Sequence, residues 1–506
     1  MRSQRAGGPD MYLGIDLGTQ SVKALLYDAD RRCVEAVHAA PLDMTSSDDG
    51  TREQHADDWL EALQGCLGQF TPAQRSGVRA LAVAGQQHGF VPLDAAGDVL
   101  APVKLWCDTA TTAQCAEITA AFGGARQCIE AVGNPILPGY TAPKIRWLKQ
   151  RHPDPYRRLH TVLLPHDYLN FYLTGERVME CGDASGTGLL DIRKRAWHAG
   201  MLRAVDPERD LSECLPPLVP PGAMIGSLLP QAASELGLRA GLPVSAGGGD
   251  NMLAAIGTGT VSPGRIAVSL GTSGTLFASS DTPVVDSEGI LAAFCSSTDG
   301  WLPLVCSMNC TVATELTRAL LGTGLASLDA RLAQSPPGAQ GVLTLPFFNG
   351  ERTPNLPRAR GCIVGLQANN YSADNLLRSA LEGAMYGLRM GLERLTQLGG
   401  AAHHIRLTGG GAASAVWRQV VADVFNLPVS VQVVDEGAAL GAALQALWMH
   451  QHSGHPGMPL AALLDEHLET DPARGCEPGA EAVEAYHQAF AEYQRHVQAL
   501  TPLYAA

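Results

Sequence analysis

Two aspartates and three glycine-rich turns carry the chemistry legible in this chain. Asp16 sits in an apolar run, YLGIDLG (12–18), and a second run, VKALLYD (22–28), follows across the turn at 18–21. A strand–turn–strand of this kind presents backbone N–H groups with no Cβ in the way. With Gly18 opening the turn and the Thr19 hydroxyl as a further donor, it can wrap phosphate oxygens. The text recurs as Val268-Ser269-Leu270-Gly271-Thr272, giving a second such turn at 271–274. Gly409, Gly410 and Gly411, between a strand pattern and a helix pattern, offer a flat backbone for a nucleobase or ribose. The helix N-terminus behind them favours negative charge. Neither a Walker loop nor GxGxxG occurs, so phosphate binding here follows neither of those patterns. A carboxylate at Asp16 suits Mg²⁺, a hard cation that takes oxygen ligands; it can also cap the turn. Asp250 follows three glycines in SAGGGDN (245–251), ahead of an apolar helix. Transfer of a phosphoryl group to an alcohol needs positioning, charge neutralisation and a carboxylate that takes the hydroxyl proton. Asp250 suits that role, and equally the role of helix N-cap.

The elements that must hold these residues alternate between strand and helix. Residues 56–70 place Trp59, Leu60, Leu63, Leu67 and Phe70 at helical spacing, and 78–85 reads as a buried strand. A long helix is predicted over 372–398, stopped by Gly399-Gly400. A strand (405–411), a helix (413–426), a strand (428–434) and a helix (436–449) follow, with a terminal helix over 479–498. This alternation is the mark of α/β layers. The Leu-Gly-Thr turn and, later, a strand running into three glycines occur in the same order twice, at 244–251 and 406–413 for the second marker. The chain therefore reads as a duplicated fold, divided as 11–261 and 262–500. In that alignment Asp16 falls opposite Ser269, and Asp250 opposite Ala412, so the chemistry is one-sided.

Composition narrows the class. With 46% apolar and 17% charged residues over 506 positions, the chain can bury real cores. Its net charge of −14 argues against a nucleic-acid binder, which relies on clustered Lys and Arg. Twelve scattered cysteines without a CxxC read as free thiols in a reducing compartment. No run of about 18 apolar residues predicts a membrane span, and MRSQRAGGPD lacks the apolar stretch of a secretory signal. The expectation is a cytoplasmic, multi-domain enzyme.

Taken together, the motifs resemble those of the FGGY family of carbohydrate kinases, within the actin, hexokinase and Hsp70 ATPase superfamily. The matching text runs from about residue 11 to 450. It comprises MYLGIDLGTQSVKALLYD (11–28), AGQQHGF (84–90), TAPKIRWL (141–148), LLPHDYL (163–169), GDASGTGLLD (182–191), SAGGGDN (245–251), SLGTSG (269–274), LPFFNGERTPN (345–355), LTGGGAAS (407–414) and DEGAALGAA (435–443). QHG, TAPK and LPHDYL are closest to the branch that phosphorylates D-xylulose. The resemblance implies two actin-like (ribonuclease H-like) α/β domains around a cleft, the first holding sugar and catalytic base, the second ATP. It implies ATP-dependent transfer of the γ-phosphate to the terminal hydroxyl of D-xylulose, with Mg²⁺. By the same carry-over Asp250 is the base and Asp16 the carboxylate near metal and γ-phosphate. Gln87 and His88 are sugar contacts. Gly18, Thr19, Gly271 and Thr272 are phosphate-loop positions, and Gly409, Gly410 and Gly411 the adenosine loop. The expected partners are a small sugar and ATP, with no nucleic acid and no membrane; a homodimer is compatible with the family.

Two departures bear on the acceptor. Gln87 stands where relatives often have Met, and Cys107-Asp108-Thr109-Ala110 replaces Asn-Asp-x-Arg, so Asp108 remains as a candidate second sugar contact while the Arg donors are gone. Glu351 and Arg352 read as an internal ion pair shaping their loop. The alternatives are another acceptor (a ketose such as ribulose, a polyol such as glycerol, a sugar acid such as gluconate) and, more remotely, a non-catalytic sugar or nucleotide sensor.

Overall fold

A computed structural model describes residues 10–434, 436–452 and 458–504. Most of the N-terminal leader, and Asp435 at the head of DEGAALGAA, lie outside the described residues. The chain builds two main sheets. In the first, β1 (Met11–Leu17), β2 (Ser21–Asp28) and β3 (Cys33–Pro41) run antiparallel to their neighbours. On the other side of β1, β4 (Val78–Gly85) runs parallel to it, and β5 (Pro243–Ser245) runs parallel beyond that. In the second, β6 (Gly264–Leu270), β7 (Gly274–Ala278) and β8 (Trp301–Ser307) are the antiparallel trio. β9 (Ala402–Thr408) is parallel to β6, and β10 (Val429–Ser430) is parallel to β9. Two sheets with one strand order are the structural form of the repeated text.

The topology corrects one pairing of the repeat. Gly409–Gly411 follow β9, the direct neighbour of β6, so their counterpart follows β4 and is Gln86-Gln87-His88. Asp250 follows the outer strand β5, whose counterpart β10 leads to Glu436 and the next helix. Asp250 therefore corresponds to the region around Glu436, not to Ala412. Asp16 and Ser269 do hold equivalent, penultimate places in β1 and β6.

Helices cover both faces of the first sheet, which is why β1 reads as a near-continuous apolar run. Leu13, Ile15 and Leu17 face one way, into a core shared with Trp59, Leu63 and Leu67 of α1 (Ala56–Gly68). Tyr12 faces the other way with Ala80, Ala82 and Ala84; by the two-residue period Gly14 and Asp16 share that face. Against it lie α3 (Asp250–Gly257) and α6 (Gly437–His452). In chain order α2 (Thr141–Arg151) comes before α3, while α4 (Ala373–Gln397) and α5 (Ala415–Phe425) come before α6 and pack in the core of the second unit. At its glycines the junction admits no side chain: a Cβ on Gly14 would sit 1.9 Å from the Ala439 carbonyl oxygen, and one on Gly441 1.8 Å from that of Leu253. The expected division at 261/262 would lie in the connection between α3 and β6.

The long helix expected over 372–398 is observed as α4, capped by the Ser372 side chain on the Asn375 N–H. The strand expected over 428–434 shortens to Val429–Ser430. All twelve cysteines are free thiols, most of them buried.

Candidate active site

The parallel strands β1 and β4, with Gly248–Gly249 beside β4, end together, and the side chains singled out above gather at those C-terminal ends. Crevices outside strand carboxyl ends are where open α/β sheets place ligands. Asp16 leaves the end of β1 half-buried. Burial raises its pKa to about 6, with Lys23 opposing and Glu436 reinforcing the shift. Lys23, directly across from Asp16 on β2, is committed to an ion pair with Glu436. Asp16 itself has no ion-pair partner among the described residues.

Asp250 is the first residue of α3, and Gly249 takes the N-cap place with no side-chain cap bond. The capping alternative is thereby removed. Glycine is required at 249, because a Cβ would meet the Gln87 side chain at 2.8 Å and the Asp183 Oδ1 at 3.2 Å. The Asp250 Oδ1 accepts from the backbone N–H and Nδ2 of Asn251, 2.7 and 2.9 Å away. Burial, then the Asp16 charge, raise its pKa to about 7, with Asp183 adding to the rise and the Asn251 bonds opposing it. The two aspartates, 234 positions apart, thus share one electrostatic site.

Asn251 Nδ2 also donates to Gln87 Oε1 at 2.9 Å, tying the Asp250 turn to the Gln87-His88 loop. The Gln87 Nε2 is buried with no hydrogen-bond partner. His88 has φ +66°, and its ring packs 4.9 Å from Tyr140 and 5.5 Å from Phe294. Burial and then the charges of Lys144 and Arg352 hold its pKa well below the usual imidazole value, so the ring is neutral.

Three expected contacts are otherwise employed. Asp108 is completely buried, and its carboxylate accepts from Lys104 Nζ (3.0 Å), the Arg52 N–H (2.8 Å) and the Ala110 N–H (3.1 Å), so it supports a loop instead of reaching a sugar. The Thr19 hydroxyl donates to Gln86 Oε1 (3.0 Å) and accepts from Trp106 Nε1 (2.9 Å), while the Gly18 N–H closes on the Ser21 carbonyl. What that turn still presents is the N–H groups of Thr19 and Gln20, whose carbonyls accept from Gln54 Nε2 and the Leu42 N–H. In the second turn Thr272 is exposed, and the carbonyls of Gly271 and Thr272 are anchored by the Thr311 and Cys310 N–H groups. Gly409 (φ +84°) lies directly on Leu270, where a Cβ would be 2.8 Å from backbone, so the Gly271 turn and the Gly409–Gly411 loop are brought together. The loop opens into a 3₁₀ turn, and the N-terminus of α5 is already occupied by the Asp329 carboxylate, which accepts from Ser414 Oγ and the Ala415 N–H. Its positive end is thereby spent on the protein.

Glu351 makes no ion pair with Arg352. It accepts from Ser307 Oγ, Asn309 Nδ2 and the N–H groups of Met308 and Arg352, leaving Arg352 to reach Tyr140 and the neighbourhood of His88 from the second unit. The residue reading missed Asp183, whose GDASGTG motif drew no role. It is completely buried beside Gly249, with Oδ2 on His166 Nδ1 at 2.7 Å and Oδ1 without a hydrogen-bond partner. For a metal, no group of three or more His, Cys, Asp or Glu is assembled among the described residues. Asp16, with no ion-pair partner among the described residues, fits a hard cation that draws its remaining oxygens from a bound phosphate and water.

Comparison with known proteins covers nearly the whole chain. The profile of the FGGY family of carbohydrate kinases, N-terminal domain, matches residues 11–257, and that of its C-terminal domain residues 266–450. A xylulose kinase of Haemophilus influenzae is 39% identical over 500 residues, covering 97% of this chain and 100% of that protein. One from Escherichia coli is 35% identical over 500 residues, covering 98% and 100%. The crystal structure of a xyloylose kinase from Brucella ovis superposes with a TM-score of 0.89 at 32% identity, covering 97% of this chain and 100% of that one. No helix among the described residues is long and apolar enough to cross a membrane.

Proposed function

The chain belongs to the FGGY family of carbohydrate kinases, and from that membership and its site we propose that it is a xylulose kinase, transferring the γ-phosphate of ATP to the terminal hydroxyl of D-xylulose. The observation that carries the reading is the bonded run Asp250–Asn251–Gln87, which sets a carboxylate with a pKa of about 7 beside an unpartnered buried amide N–H₂. The near-full-length identity to curated xylulose kinases supports the acceptor.

In this reading Asp250 takes the proton from the sugar hydroxyl as its oxygen bonds to the γ-phosphorus. The bond from that phosphorus to the bridging oxygen breaks in line, and ADP leaves. Gln87 and neutral His88 orient the sugar. The Gly271-Thr272 turn and the backbone at Thr19 hold phosphate oxygens, and Gly409–Gly411 cover the adenosine. Gly18 and the Thr19 hydroxyl shape the first turn from behind. Asp16 would hold Mg²⁺ on the nucleotide, where it would neutralise phosphate charge, and Asp250 stays free to act as the base. Closure of the two units would exclude water, which competes as acceptor. The cytoplasm, where ATP is available, is the proposed compartment.

The test is ADP release from ATP and Mg²⁺ with D-xylulose, L-xylulose, D-ribulose, glycerol, gluconate or no sugar. The highest kcat/KM is expected on D-xylulose. Preference for another acceptor would overturn the substrate and point to Gln87 and the Cys107–Ala110 segment. No rate above the sugar-free blank on any acceptor would overturn the kinase.

A further inference from the structure

Lys144, from the TAPK motif, is completely buried, and no carboxylate among the described residues forms an ion pair with it. Its ammonium spends its hydrogen bonds on two main-chain carbonyls, those of His88 (2.8 Å) and Gly139 (2.7 Å). Thr141, one turn earlier on α2, adds its hydroxyl to the same His88 carbonyl at 3.1 Å. His88 is the residue whose backbone needs holding. Its φ of +66° lies in the left-handed region that residues with a Cβ avoid, and such conformations persist only where the surroundings over-determine them. Gly139, the other carbonyl held, precedes Tyr140, whose ring packs on the His88 imidazole.

We propose that Lys144 is a positioning residue for sugar binding: with Thr141 it staples the His88 carbonyl to the Gly139 loop, fixing the strained turn that aims Gln87 and His88 at the acceptor. A lysine used only to fill space would be a poor choice. Burying an ammonium with no carboxylate in ion-pair contact is unfavourable, and burial lowers its pKa to about 7, with the Asp108 charge opposing the shift. A methionine would fill the same volume without that burden. The geometry offers a reason for keeping the lysine: only a long donor can reach two carbonyls of neighbouring loops from beneath them. His88 restored to an ordinary φ would turn its carbonyl away from Lys144 and swing its ring off Tyr140 and Phe294.

The inference rests on the sugar-kinase reading, so the experiment separates the two. Lys144→Met, Thr141→Val and wild type are assayed for KM of D-xylulose, KM of ATP, kcat and thermal midpoint. Lys144→Met is expected to raise the sugar KM by about 10–100-fold, leave the ATP KM within about two-fold, and keep or raise the thermal midpoint. Thr141→Val is expected to show the same selectivity at a smaller magnitude. In a His88→Ala background, Lys144→Met is expected to add little. An unchanged sugar KM, or sugar and ATP terms that worsen together, would overturn the staple. If Lys144→Met does not fold, Thr141→Val decides alone, an unchanged sugar KM there overturning it. A wild type that uses another acceptor sinks the D-xylulose assignment, and the same comparison is then read on that acceptor.

Discussion

Asp250→Asn is expected to lose sugar phosphorylation by about 10²–10⁴-fold while nucleotide binding stays within about two-fold. The substitution is close to isosteric. An asparagine Oδ1 can still accept both Asn251 bonds, so the α3 terminus and the link to Gln87 stay in place. What disappears is the carboxylate basicity that lets the group take the hydroxyl proton. The wild type carries a pH signature of the same group. Burial, Asp16 and Asp183 all raise the Asp250 pKa, to about 7. The ionised form is the base, so kcat/KM should fall as pH drops through neutrality and level off above it. The residual rate of Asp250→Asn should lack that acid limb. A variant within a few-fold of wild type would remove Asp250 from proton transfer.

Asp16→Ala is expected to lower turnover by about 10²–10³-fold, the range seen when one preorganised electrostatic group is removed, and to raise the Mg²⁺ concentration needed for half-maximal rate. It should also move the acid limb of the remaining activity to lower pH. The sign follows from like charges: Asp16 is the second-largest cause raising the Asp250 pKa, and without it the neighbouring carboxyl ionises more readily. Unchanged metal dependence together with an unmoved acid limb would separate the two aspartates functionally.

The fold was legible wherever the text repeats at short range. The strands flanking the Gly18 turn and α4 with its Ser372 cap lie within a residue or two of their expected bounds, because hydrophobic period and stop signals are local. The alignment of the glycine runs went astray because it compared neighbours in sequence, whereas strand order decides equivalence. GGGD follows an outer strand, and TGGG an inner one. The candidate site was legible in residue type and less so in employment. Asp108, the Thr19 hydroxyl and the N-terminus of α5 look available until their partners from elsewhere in the chain arrive: Arg52, Trp106 and Asp329. The same blindness hid Asp183 and Lys144, whose meaning depends on His166, Gly249 and the backbone of His88.

The glycine-lined seam has a consequence for synthesis. The face of the first sheet that carries Tyr12 and Gly14 is sealed by α6, made from residues 437–452. A ribosome finishes β4 several hundred residues before it delivers that helix. At about 5–20 residues per second, the interval is on the order of tens of seconds. Until then the emerging chain shows an apolar sheet face that only α3 comes to cover in part, a natural client for a nascent-chain chaperone. The N-terminal half made alone lacks α6 and keeps the part of that face sealed by it open permanently, and should accumulate as aggregate where the full chain stays in solution.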